Sequence, residues 1–195
     1  MKAQIGVQPE EKINRVLKHI RHVQENCRLL GFKLMKEESM GDIGKNLIAN
    51  SMLHDNSKFH GLEWDHLFWE SGPELEFAIS QHKRTNPHHP EYWGGIVHMP
   101  IVYIAEMVCD WKARSSEFGT DFADWITEGA RKKYGYGLKS FTGNLICRFA
   151  AMLCDQPFTQ KYEGKREGQD FTSRRNSGAG RFRVHSGKRR RQQKR

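Results

Sequence analysis

Apolar positions recur at spacings of three and four along most of the first 155 residues, the period of helices buried on one side. Ile13, Val16, Leu17, Ile20, Val23, Cys27 and Leu30 form the first stripe. It predicts a helix from Glu10 to Leu30 with Gly31 as its C-cap. A second helix is expected from about Asp42, a candidate N-cap, to His54, which shares the inward face of Ile43 and Leu47. A short aromatic helix over Leu62, Trp64, Leu67, Phe68 and Trp69 follows. Pro73 suits the first turn of a helix that runs to about Thr85 and carries Phe77, Ala78 and His82. Asn86-Pro87-His88-His89-Pro90 cannot continue it, because proline removes donors and restricts the residue before it. Pro100 opens a strongly apolar helix to about Arg114, and another spans about Phe122 to Lys133. The last runs from Leu138 to about Cys154 and stops before Pro157. No segment alternates as a strand would, and no repeat is present. The expected class is all-α, a bundle of roughly seven helices occupying residues 1–163.

The pattern ends there. Residues 164–195 hold four hydrophobic side chains (Phe171, Ala179, Phe182, Val184), twelve Lys/Arg and two Asp/Glu. Such a segment cannot bury a core and is expected to be disordered alone. It also carries the basicity of the chain: the net charge is +9, yet residues 1–163 hold 20 basic and 21 acidic residues. Runs such as Lys188-Arg189-Arg190-Arg191 bind polyanions through counterion release, so non-specific nucleic acid is an expected partner of this tail. A solubilising extension is the plainer alternative. No run of about 18 apolar residues predicts a membrane span, and the first eleven residues lack the apolar stretch of a signal peptide. The four cysteines (Cys27, Cys109, Cys147, Cys154) sit in apolar helical patterns without C-x-x-C spacing. They are read as buried free thiols in a reducing, cytoplasmic setting.

Candidate chemistry lies in the histidines and carboxylates. His54-Asp55 offers a metal two ligands from one point on the backbone, with Lys58 four residues after His54. In isolation the pair is better read as a helix end whose Asp caps the next helix. His19 borders the first apolar stripe, where a lone histidine is ordinarily a satisfied core residue. Asp110 shares a face with Glu106 and Tyr103, which reads either as a solvated acidic face or as a buried carboxylate in need of a cation. His82, His88 and His89 lie close in sequence with Lys83 and Arg84 among them, a grouping suited to phosphate or to a second metal.

These residues resemble a known pattern. His…His-Asp…Asp in an all-α chain is similar to the HD-domain superfamily of metal-dependent phosphohydrolases. A closer resemblance is to a family of bacterial and phage proteins, distantly HD-like, with a first segment of the form HIRNVQEN, read here as His19-Ile20-Arg21-His22-Val23-Gln24-Glu25-Asn26, and further segments of the form HDxSKF, NxHHPEYW and EMxCDWKA. Here these read His54-Asp55-Asn56-Ser57-Lys58-Phe59, then Asn86-Pro87-His88-His89-Pro90-Glu91-Tyr92-Trp93, then Glu106-Met107-Val108-Cys109-Asp110-Trp111-Lys112-Ala113. Order and spacing agree over about residues 9–155, and the tail is outside the resemblance. The resemblance implies an HD-like fold that holds one or two divalent ions (Mn, Fe, Zn, Co or Mg). By the same logic His19, His54, Asp55 and Asp110 would be first ligands, and His82 with His88 or His89 would extend the shell or bind substrate.

The expected function is hydrolysis of a nucleotide or related small phosphate ester in a bacterial or phage-infected cell. Asp55 and Lys58 would serve the reaction, while Lys83, Arg84, His88 and His89 would bind substrate. Two alternatives stand beside it: a nucleic-acid-binding protein on a structural HD-like core, and a di-iron HD-like oxygenase.

Overall fold

The computed structural model describes residues 7–67 and 71–155. The chain divides into two units, Met1–Lys161 and Tyr162–Arg195, and every described residue belongs to the first. The basic segment 164–195, with its expected disorder, and Phe68 and Trp69 of the aromatic helix lie outside the described residues.

Those residues are all helix and turn, with no strand among them. Helix α1 (Pro9–Leu34) carries Glu10 and Glu11 in its first turn and Lys33 in its last, each sign matching the helix dipole. Gly31 does not end it. A Cβ there would lie 2.6 Å from Cγ1 of Ile48 and 2.9 Å from the carbonyl oxygen of Gly44. Gly44, in α2 (Gly41–Ser51), is the counterpart, since its Cβ would lie 2.5 Å from the carbonyl oxygen of Gly31. The two glycines let two backbones touch, so a packing contact replaces the predicted cap. Asp42 is likewise not the N-cap. Met40 occupies that position, and Asp42 pairs with Lys45 at 3.0 Å within the first turn.

α2 stops at Ser51, earlier than its apolar pattern suggests, so His54 sits on the turn that follows. There Asp55 adopts the left-handed region (φ 57°, ψ 16°), a conformation uncommon outside Gly, Asn and Asp. A 3-10 turn (Asn56–Phe59), α3 (Gly61–His66) and α4 (Pro73–Thr85) come next. The His-rich loop leads through two 3-10 turns into α5 (Ile101–Phe118), which closes on left-handed Gly119. α6 (Phe122–Asp124), a π turn (Trp125–Gly129) and α7 (Ala130–Tyr134) run end to end, filling the span predicted as one helix. α8 (Phe141–Cys154) begins where the Ser140 hydroxyl accepts from the Gly143 amide at 3.1 Å. The seven predicted helical segments thus all occur.

α5 is the central helix. From Ile104 to Trp111 every residue is buried, so this stretch has no solvent face at all. One apolar cluster joins Val23, Cys27, Leu30 and Leu34 of α1 to Leu47 of α2, Val108 of α5 and Phe149 of α8. At about 25 cal/mol per Å² of apolar surface removed from water, such burial is the main force holding the bundle. Its consequence for Glu106 and Asp110 is direct: their carboxylates are held inside the protein. All four cysteines are free thiols, Cys27 and Cys109 fully buried and Cys147 and Cys154 partly so. Among the described residues no helix is long and apolar enough to cross a membrane.

Candidate metal centre

His19 comes from α1, His54 and Asp55 from the turn after α2, Lys58 from the 3-10 turn, His82 from α4, His88 and His89 from the loop, and Asp110 from α5. The fold brings all of them to one place, with Asp55 in the middle. Oδ2 of Asp55 lies 3.3 Å from Nε2 of His19 and 3.6 Å from Nε2 of His54, and it also pairs with the Lys58 ammonium. Oδ1 lies 3.3 Å from Nε2 of His82 and 3.4 Å from Nε2 of His88. Asp110 Oδ1 stands 3.1 Å from Nε2 of His19. His19, His54 and Asp110 can each offer a ligand atom within 4.8 Å of the others, and so can His82, His88 and His89. Asp55 stands between the two groups, with one oxygen toward each. The left-handed backbone at Asp55 is the strained feature that accompanies this arrangement.

Nε2 of His19, His54, His88 and His89 and Oδ1 of Asp55 and Asp110 are all buried, and among the described residues none makes a hydrogen bond. An unsatisfied buried polar atom costs about 1–3 kcal/mol. Six of them converging on one spot is a set that a cation satisfies.

The outer nitrogens are treated differently. Nδ1 of His19 meets Glu117 at 2.9 Å, Nδ1 of His54 meets Glu106 at 2.9 Å, and Nδ1 of His82 meets Glu63 at 2.7 Å. A carboxylate that accepts from Nδ1–H assigns the proton to that nitrogen and turns the Nε2 lone pair inward, the outer-shell pattern of histidine metal ligands. Behind His82 the support goes further. Ser57 donates to Glu63 at 3.0 Å, and the Asn86 amide donates to Ser57 Oγ at 3.0 Å and to the His82 carbonyl at 2.9 Å. Ser57 and Asn86 therefore stand behind His82 and Glu63.

Sequence reading placed Glu106 on the face of Asp110 without a role and missed Glu63 and Glu117. Glu106 and Glu117 precede and follow Asp110 by four and seven residues, a helical spacing that places them on its face. Glu63 has no comparable signal.

Electrostatics follow from burial and partners. Burial opposes a charge on His19, but the carboxylates of Asp110, Asp55 and Glu117 outweigh it and push its pKa up to about 10, so a cation taking Nε2 would displace a proton from it. Burial favours a neutral Asp55, yet the Lys58 and His54 charges and its histidine contacts hold it well below the usual carboxylate range. Asp110 is held down in the same way, against burial, by His19, His54 and Arg114. Burial, with His54 beside it, pushes His88 down, and burial with His88 and His82 does the same to His89. The neutral rings of His88 and His89 keep a lone pair to offer.

A cavity of about 560 Å³ opens onto this cluster. His19, Asp55, Lys58, His82, His89 and Asp110 line it, with Val16, Leu67, Ile79 and Phe118 as apolar wall and Arg15, Lys18, Lys83 and Arg114 as further cations. Of the four residues expected to bind substrate, Lys83 and His89 border the cavity, and His88 lies buried within the ligand cluster. Arg84 does not take part: it is exposed and borders other clefts. Two residues beyond His82 on α4, it points about 200° round the helix from the ligand.

The model of a family of unknown function, DUF5662, matches residues 8–146, well over half of the chain. The chain belongs to this family. The matched segment contains the whole cluster from His19 to Glu117 and ends before the basic tail. No curated protein and no solved structure matches the chain.

Proposed function

We propose that this DUF5662 member is a metal-dependent phosphohydrolase on an HD-like scaffold, acting on a nucleotide or related phosphate ester. The observation that carries the reading is the convergence of unpartnered imidazole and carboxylate atoms on Asp55 at the floor of a cation-rimmed cavity. His19, His54, Asp55 and Asp110 would hold a first divalent ion, and His82, His88 and His89 would hold a second that shares Asp55. Such a histidine-rich set suits Mn, Fe, Co or Zn better than Mg. A bound divalent ion acidifies water toward a pKa of about 7 and polarises a phosphoryl oxygen.

The remaining work falls to the chain. Glu63, Glu106 and Glu117 hold the rings in the required tautomer. The Lys58 ammonium, at the cavity floor beside Asp55, stabilises negative charge developing on phosphoryl oxygen or gives a proton to the departing oxygen. Lys83 draws the anion in. Metal analysis of protein purified without chelators tests the reading, followed by a screen of nucleotides and phosphodiesters. We expect one or two ions per chain, with Asp55→Ala losing both metal and turnover. Stoichiometric absence of Mn, Fe, Co, Zn and Mg would sink it.

A second reading, a di-iron oxygenase, draws on the two histidine groups that flank one aspartate. Oxygen uptake by ferrous-loaded protein separates the two, since phosphate-ester turnover under anaerobic conditions supports the hydrolase.

A further inference from the structure

The cavity lining carries more cations than carboxylates. Five of its lining residues are Lys or Arg and three are carboxylates. Residues 1–163 as a whole are almost neutral, with 20 basic and 21 acidic residues, so the lining's surplus of two cations is local. The lining cations also fall into two sets. Lys58 and Lys83 adjoin the ligands in sequence and space, Lys58 by its contact with Asp55 and Lys83 as the neighbour of His82.

Arg15 and Lys18 stand on α1 before His19, and Arg114 stands on α5 four residues after Asp110. α1 and α5 run antiparallel at this point: Asn26 bonds the carbonyl of Cys109, while His19 bonds Glu117. The N-terminal direction of α1 and the C-terminal direction of α5 therefore lead the same way out of the cluster. Four helical residues rise about 6 Å, which sets Arg15 and Arg114 one turn beyond the ligands on facing helices. Lys18 is exposed beside them. The Arg114 guanidinium pairs with Glu117 at 3.6 Å and with Asp110 at 4.0 Å and lies over the Phe118 ring, 5.9 Å from its centre, contacts that hold it at the rim.

We propose that the substrate carries two linked anionic groups, a diphosphate with one phosphoryl at the histidine–aspartate cluster and the other between Arg15, Lys18 and Arg114. This rests on the phosphohydrolase reading above and adds the distal clamp, which makes Arg15, Lys18 and Arg114 specificity-determining residues. The outer phosphoryl group gains charge-assisted hydrogen bonds, and the arginines can grip it with two N–H groups each.

The test uses the full chain, loaded with metal and freed of excess ion. Methylphosphonate supplies one anionic group; methylenediphosphonate supplies two, joined by a carbon bridge that water cannot cleave. Calorimetric titration should show the diphosphonate binding roughly tenfold to a hundredfold more tightly. The double variant Arg15→Ala/Lys18→Ala removes two exposed α1 side chains that touch no ligand residue. It should keep its metal, measured before and after titration, and its methylphosphonate affinity, while most of the preference for the diphosphonate disappears. Arg15→Lys should restore part of it. Equal affinity for the two probes in the wild type overturns the clamp, and so does an undiminished preference in the double variant, which would assign it to cations elsewhere, including the tail. Wild-type protein that holds no metal and binds neither probe overturns the phosphohydrolase reading beneath it, an outcome distinct from the other two.

Discussion

Glu63 shows how a single side chain fixes a histidine of the cluster from behind. Its Oε2 lies 2.7 Å from Nδ1 of His82 and accepts from Ser57, so it holds both the proton and the ring plane. Glu63→Gln keeps a partner for Nδ1 but a neutral one that can turn either way. We expect about 10–100-fold weaker metal binding with the fold retained, measured by competition with a chromophoric chelator. Affinity within twofold of wild type would reduce Glu63 to a packing residue. The candidate site was partly legible in the sequence, because His54-Asp55 and His88-His89 stand in compact segments of distinctive composition. The glutamates behind them were not. Nothing local tells a carboxylate that accepts from an imidazole 98 residues away, as Glu117 does from His19, from one that faces water.

At the scale of elements, the α1–α2 contact decides where His54 and Asp55 stand. Gly44→Ala gains about 1 kcal/mol of helix propensity in principle. Its Cβ would nonetheless meet backbone, the Gly31 carbonyl oxygen at 2.5 Å and the Met35 amide nitrogen at 3.1 Å, and backbone cannot rotate aside. Overpacking of this kind costs about 1–3 kcal/mol. The expected result is a Tm lower by roughly 4–8 °C, together with weaker metal binding as the turn that carries Asp55 shifts. Gly41→Ala, at the start of the same helix with nothing within 4 Å of the added carbon, is the control and should leave Tm unchanged or slightly raised. Equal melting of the two variants would refute the contact's importance. Periodicity located all seven helical segments but misjudged the ends of α1 and α2. Apolar spacing reports which face is buried, not where a close backbone approach or a left-handed residue stops the helix.

At the scale of the whole molecule, a bound metal would be coupled to the fold, because the buried donors come from three helices and the loops between them. An ion present at about a thousand times its Kd adds roughly 4 kcal/mol of stability. Calorimetry with and without chelator at pH 7.5 should therefore show a Tm difference of about 8–16 °C. Protons compete for the same nitrogens and oxygens, so the difference should shrink as the pH is lowered toward 5. A Tm indifferent to chelator would count against the metal centre. The basic segment makes a separate prediction from its charge. Deleting residues 164–195 should abolish salt-dependent retention on polynucleotides while leaving Tm and small-substrate turnover as they were. Retention that survives the deletion would move any nucleic-acid contact to the helical unit.

The sequence by itself determined the all-helical class and the order of the helical segments, and it offered the histidines and aspartates as candidates. Each of these depends on short-range spacing and on residue chemistry. Tertiary structure alone decided that Asp55 stands between two histidine groups, that Glu63, Glu106 and Glu117 orient three of the rings, and that Arg84 faces away. It also decided that the cations of α1 and α5 meet at one cavity. Those facts depend on how α1, α4 and α5 pack and turn against one another. That packing is set by long-range burial and by a glycine contact whose meaning appears only when two backbones touch.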